Sequence, residues 1–333
     1  MPLKRSWSRG LGALLLMLGA TGANAQWQPQ RPVEFVVTAG AGGGTDIFAR
    51  TVQAIVQKHN LMAQPVIVQI KGGGSGAEGY VYMKTQEGDP HKVVFGTHNL
   101  YVLSLGAKVA FTHADLTPIA AMAFDEFLLW VKGDSPIKSA KDYIAAAKAS
   151  PDGFKVTGAQ SKDSDELLTK LIEKAIGAKL TYVPFKSGAE ADVQVSGGHF
   201  TSHVNNPSES IGGWRAGKVR PLCVFNPSNL PAGAKVTDTQ GWSDIPPCNK
   251  EGIAVDSFTQ PRIASLPGKV PADVTAFWTD LFKKVAATPE WKDYIEKTSQ
   301  TSRTLTGADL KAFIDQDFER QRGIFAEQNW LVK

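Results

Sequence analysis

Three short runs of β-branched and aromatic residues, Val33 to Val37, Val66 to Ile70 and Val93 to Phe95, each break off into a glycine-rich or polar loop. Those loops are Thr38-Ala39-Gly40-Ala41-Gly42-Gly43-Gly44, Lys71-Gly72-Gly73-Gly74-Ser75-Gly76 and Gly96-Thr97-His98-Asn99. Thr45 then serves as the expected N-cap of a helix whose apolar face is Ile47, Phe48, Val52, Ile55 and Val56. Strand, loop and helix in that order predict a mostly parallel sheet covered by helices. Open sheets of this kind bind ligands at the carboxyl ends of their strands, where these three loops fall.

The pattern repeats from Leu116 to Val224. Strands are expected at Ile119 to Met122, Phe127 to Val131, Phe154 to Thr157, Leu180 to Val183, Phe200 to Val204 and Val219 to Val224. The clearest helices between them are Ala140 to Ala149 and Asp165 to Ile176, and two more close the chain near Val270 to Ala287 and Ala308 to Phe325. With 333 residues there is material for about two domains. The expected fold is therefore two α/β lobes, each a mostly parallel sheet flanked by helices, with a ligand cleft between them. The first lobe takes residues 26–100 and 226–333, the second residues 101–225.

Lys4, Arg5 and Arg9 precede an apolar run from Leu11 to Leu18 and the triplet Ala23-Asn24-Ala25. This is the pattern of a secretory signal peptide, residues 1–25, cleaved after Ala25. Its apolar core is too short to span a bilayer. Residue 26 is Gln rather than Cys, so no lipid is attached there, and a soluble protein outside the cytoplasm is expected. Loss of the three basic residues lowers the formal charge from +4 to +1. A nearly neutral chain has no electrostatic footprint for nucleic acid or an anionic membrane.

Cys223 and Cys248 would lie in a compartment that permits disulfides. They are expected to form a structural bridge. The alternative is a buried Cys223 thiol at the end of an apolar strand; Cys248 follows Pro246-Pro247 in a loop that gives no sign of core burial.

Catalytic motifs are missing. Gly74-Ser75-Gly76-Ala77-Glu78-Gly79 has the glycine spacing of a dinucleotide fingerprint, but follows a second strand and has no acid about 20 residues on. Neither glycine run continues into the lysine and hydroxyl residue of a phosphate loop. Gly73-Gly74-Ser75-Gly76-Ala77 misses the last glycine of a nucleophile elbow. His199 and His203 fall on a predicted strand, where four residues separate Cα atoms by about 13 Å, too far to chelate one ion. No cofactor, metal or catalytic group is expected.

Binding is better supported. Glycines let backbone approach a ligand, and a helix opening beside them aims unpaired N–H groups at anions. Glycine needed only for turn dihedrals is the alternative for any single loop. The same placement recurs in Thr157-Gly158-Ala159-Gln160-Ser161 and in Lys186-Ser187-Gly188 after Val183-Pro184-Phe185. His98 stands at a strand end and is either a ligand contact or a polar loop residue. Lys186 is either a charge-assisted donor or a solvated lysine. Asn205-Asn206-Pro207 offers amide donors or a simple turn.

Several segments in order resemble the periplasmic solute-binding receptors of tripartite tricarboxylate transporters, often called Bug receptors. They are Arg31-Pro32-Val33, Gly42 to Arg50, the Gly72 to Gly79 loop, Val183 to Gly188, Gly197-Gly198 and Trp214 to Leu222. The resemblance spans the whole mature chain. It implies a type II-like two-lobed binding protein that closes on a small mono-, di- or aromatic carboxylate. It implies as partners a large and a small membrane subunit of a secondary transporter, and the receptor itself is expected to be a monomer. Family positions fall on Thr38, Ala39, Ala41, Gly43, Thr45 and Asp46 in the first loop and on Thr97, His98 and Asn99 in the third, while Gly74 and Ser75 are candidates from the placement of the second glycine loop. In the second lobe family positions fall on Gly158, Ser161, Asp163, Phe185, Lys186 and Ser187, and Asn205 is a further candidate from its place at a strand end. The family usually has Pro-Phe at Thr38-Ala39, Glu-Asn at Ile70-Lys71 and Tyr at Phe185, so the ligand is not transferable. A ligand sensor for a signalling partner and an exported enzyme using the same cleft are the alternatives.

Overall fold

The computed structural model describes residues 27–150 and 153–332, so the expected leader and its expected cleavage site lie outside the described residues. The chain opens with β1 (Val33–Val37), α1 (Gly44–Lys58), β2 (Val66–Ile70), α2 (Ala77–Thr85), β3 (Lys92–Gly96), α3 (Asn99–Gly106) and β4 (Leu116–Glu126). It continues through β5 (Leu128–Lys132), α4 (Ala140–Ala149), β6 (Lys155–Ala159), α5 (Ser164–Ile176), β7 (Thr181–Phe185), α6 (Gly188–Ser196), β8 (Ser202–Asn205), α7 (Pro207–Arg215) and β9 (Val219–Val224). It returns as β10 (Thr259–Pro267), α8 (Ala272–Ala287), α9 (Pro289–Lys297), β11 (Thr301–Leu305) and α10 (Gly307–Glu327).

Two sheets result. The first has six strands in the order β11, β4, β10, β3, β1, β2, the second five in the order β7, β6, β8, β5, β9. Both are mixed rather than mostly parallel. β1 pairs in parallel with β2 and β3, but β10 runs antiparallel to β3 and β4, and β11 to β4. In the second sheet β6 is parallel to β7 and β8, while β5 is antiparallel to β8 and β9. β11 aside, the antiparallel halves are built from the strands on either side of the two passages between sheets, β4 to β5 and β9 to β10. β4 belongs to the first sheet, so the chain changes sheets at Phe127 and not near residue 100.

Side-chain alternation on β1 shows why the first sheet is covered on both faces. Val33, Phe35 and Val37 point into a core with Phe48, Phe95, Trp278, Phe282 and Trp291, while Val36 points into the opposite one with Tyr80 and Val94. That second core runs without a break under α5, where Leu167, Leu168, Ile172 and Ile176 are buried. A third cluster groups Trp130, Trp214 and Trp242 on the far side of the second sheet.

The two crossings are tied together. Phe225 N–H donates to the Phe127 carbonyl at 2.9 Å, and Phe258 N–H to the Phe225 carbonyl at 3.0 Å. Cys223 and Cys248 form the expected disulfide across a separation of 25 residues. Contrary to the loop reading of Cys248, both cysteines are fully buried. Closing a loop of this size contributes roughly 3 kcal/mol in the chain-entropy account. The bridge holds the long return segment against β9 and keeps the second crossing in place.

Candidate functional site

The loops that follow β1, β3, β6 and β7 meet where the two sheets face one another. Gly40 N–H donates to the Lys186 carbonyl at 3.0 Å, which joins the β1 loop directly to the β7 loop. Gln160 reaches across in the same way: its Nε2 donates to the Thr38 carbonyl at 2.9 Å and its Oε1 accepts from Asn99 Nδ2 at 3.3 Å. Ser161 N–H donates to Ser75 Oγ at 3.0 Å. Between these contacts lies a cavity of about 30 Å³, room for about two waters. The lobes are closed on one another, and a solute of several heavy atoms enters only when they part.

Two helix starts frame the cavity. Gly43 caps α1, so Thr45, the expected cap, sits inside the first turn and instead accepts from Arg262 Nη1 at 2.9 Å. Ser187 caps α6, its Oγ accepting from Glu190 N–H at 3.3 Å. A Cβ built on Gly43 would stand 2.8 Å from Ser187 Cβ, so glycine here is a requirement of lobe contact.

Of the anticipated residues, Ala39, Thr45, Thr97, Asp163 and Ser187 line this cavity. Others shape it from behind. Asp46 accepts from Gly42 N–H at 2.8 Å and pairs with Arg50. His98 is fully buried, with Nε2 2.9 Å from Asp163 Oδ1 and 3.1 Å from Ser164 Oγ. Gly158 gives space to Asp165, whose Oδ2 would otherwise lie 2.6 Å from a Cβ. Asn205 holds the Gly188 carbonyl and Ser210 Oγ, and the Phe185 carbonyl receives Gln160 N–H at 2.7 Å. Gly74 and Ser75 adopt the positive φ of a tight bend. Ala41 and Lys186 are exposed, and Lys186 enters the site only through its backbone.

Gln160 and Asn206 also line the cavity, from loops read as candidates in the sequence, whereas Asp165, Glu209, Gln260 and Arg262 were not anticipated. Gln260 and Arg262 alternate on one face of β10, a strand that Pro261 conceals in the sequence. Arg262 is buried, donates to Asp125 and to Asn206 Oδ1, and packs against Gly44. Asp165 and Glu209 stand in the first turns of α5 and α7. Burial pushes the Asp165 carboxyl well above the ordinary range, against the Ala159 N–H it accepts, and the neighbouring Glu209 and Asp163 add to the rise. Burial likewise raises Glu209, although Arg262 and the N–H groups of Gly44 and Gly188 oppose it.

A raised acid keeps its proton in the fold at pH values where the unfolded chain has lost it, so stability falls as pH rises above about 3.9 toward the folded value. Asp165→Asn should therefore raise the melting temperature by a few degrees at pH 7 and leave it unchanged near pH 3. Equal effects at both pH values in thermal melts would show that the Asp165 carboxyl is not held protonated by burial.

A larger groove of about 690 Å³ lies elsewhere, lined by residues such as Ile47, Lys58, Trp242 and Glu290. None of the converging loops reaches it. Among the described residues no cluster of His, Cys, Asp and Glu is arranged to hold a metal ion, and no helix is long and apolar enough to cross a membrane.

Two helix-covered mixed sheets, joined by paired crossings and closed over a polar cleft, define a two-lobed solute-binding protein. The tripartite tricarboxylate transporter family receptor model matches residues 48–330, and the chain belongs to that family. Protein BugT of Bordetella pertussis is 24% identical over 315 residues, covering 88% of this chain and 94% of its own. A UPF0065 protein of Cupriavidus necator is 25% identical over 324 residues, 95% of this chain and 94% of its own. The fold superposes on the periplasmic binding protein BugD with a TM-score of 0.83 at 19% identity, covering 92% of this chain and all of the other. An R. palustris protein with adipate superposes at 0.82 with 21% identity, covering 90% and 97%.

Proposed function

We propose that this protein is a non-catalytic receptor that captures a small carboxylate outside the cytoplasm and delivers it to a tripartite tricarboxylate-type secondary transporter. The observation that carries the reading is the meeting of loops from both lobes around one polar cavity, with α1 and α6 opening beside it. Helix starts favour anionic oxygen, and closure of two lobes gives the membrane subunits a shape to recognise. Family membership, the adipate in one structural neighbour and the malate in another, MatC from Rhodopseudomonas palustris, support the same reading. The leader expected from the sequence at residues 1–25 supports a periplasmic location.

A thermal-shift screen of the mature chain tests it. A carboxylate at 100 times its Kd should stabilise the protein by about 2.7 kcal/mol, while neutral sugars leave the melting temperature unchanged. A shift with neutral solutes alone would reject the carboxylate assignment. Reconstituted uptake with the two membrane subunits should require the receptor; uptake that proceeds equally without it would reject delivery.

A further inference from the structure

The groove of about 690 Å³ has a wall from each lobe. α1 and α9, which pack on the first sheet, form one wall, and α7 with the segment around Lys235 and Trp242 forms the other. Trp242 packs on Trp130 of β5 and Trp214 of α7, with ring centroids 6.3 and 4.9 Å away, while its Nε1 donates to the Lys297 carbonyl of α9 at 3.2 Å. Both α1 and α7 begin at the ligand cavity. Gly44, Thr45 and Glu209 line that cavity, and further along the same two helices Ile47, Ile55, Ile211 and Arg215 line the groove. Lobes that part as rigid bodies carry whole helices with them, so opening the cavity also spreads the groove walls. The groove has its present width only in the closed protein.

The lining states what chemistry would fill it. Between the walls it is apolar, with Ile47, Ile55, Val236 and Trp242. The rims are charged but unequal. On the first-lobe wall Lys58 pairs with Glu290 and Lys297 with Asp293, whereas on the other wall Arg215 and Lys235 are exposed and have no acidic partner among the described residues. Arg215 Nε donates to the Val236 carbonyl at 3.4 Å, which sets the two cations side by side. Glu296 of α9 is the remaining acid of the lining, and no ion pair joins it to either of them. An apolar trough with two free cations on one rim complements an apolar segment that carries an acidic side chain. Resting on the receptor reading above, we propose that this groove docks the closed receptor onto its transporter, taking an apolar segment of a membrane subunit whose acid pairs with Arg215 and Lys235. The partner then senses occupancy of the cavity through α1 and α7.

Interferometry on immobilised nanodiscs that hold the two membrane subunits tests this, with the mature protein offered together with whichever solute gives the largest shift in the thermal screen. Arg215→Glu combined with Lys235→Glu should weaken docking about 10-fold, mainly through slower association, and should reduce its dependence on salt. Ala54→Trp, which fills the groove from an exposed position on α1, should weaken docking as much without changing any charge. Both proteins should keep the parental melting temperature and the parental affinity for the solute. Docking of parental strength by both would overturn the groove assignment and leave the receptor reading standing. A parent protein that does not dock at all would overturn delivery and the groove together. Loss of solute affinity in step with docking would also overturn the assignment, because the groove residues would then act in closure rather than in contact with the transporter.

Discussion

Arg262→Met is expected to cost about 3–5 kcal/mol of stability, the usual penalty for leaving a buried charge without its partner. Asp125 is fully buried and its remaining side-chain partner of note is Gln300. Methionine fills most of the arginine's volume, so the loss reports electrostatics rather than a void. The same substitution strips donors from Thr45 Oγ1 and Asn206 Oδ1, which ties α1 and the second lobe to β10. Adding Asp125→Leu should recover most of the deficit, because an apolar pair of similar volume replaces a buried ion pair at little net cost. Urea unfolding of the single and double variants checks both statements. A single-variant loss below about 1 kcal/mol would mean that water reaches Asp125 in the fold.

The same arginine shows what the sequence could and could not reveal. β1 and β2 were legible to the residue, because β-branched and aromatic runs that follow a proline and run into a glycine loop leave few alternatives, and β9 was read with the same bounds although Pro221 interrupts it. β10 was not, since Thr259-Gln260-Pro261-Arg262 begins with polar residues and a proline, and its role as a central antiparallel strand depends on partners far away in the chain. β11 is exposed and polar, a strand made by pairing alone. In the site, the glycine loops were readable from local chemistry. Asp165 and Glu209 resembled ordinary first-turn acids that favour a helix start, and only the approach of the other lobe gives them a ligand-facing role. His98 shows the converse: a polar residue at the right strand end that the fold turns into buried support for Asp163.

Gly40→Trp is expected to abolish ligand capture while leaving both lobes folded. A Cβ at Gly40 would meet Lys186 Cβ at 3.2 Å, Lys186 carbonyl oxygen at 3.3 Å and Ser187 Cβ at 3.3 Å. All three of those atoms belong to the opposite lobe, so bulk added here meets the closing lobe first. The Gly40 to Lys186 hydrogen bond is lost with it. If the closed form falls to one molecule in a hundred, apparent affinity falls about 100-fold, since only that fraction is competent to hold the ligand. Calorimetry should show the loss, small-angle scattering should show a larger radius of gyration, and melting should remain close to the parent protein. Ligand held with parental affinity in a variant that scatters as an open molecule would show that a single lobe makes the decisive contacts, and that closure serves recognition by the transporter rather than capture.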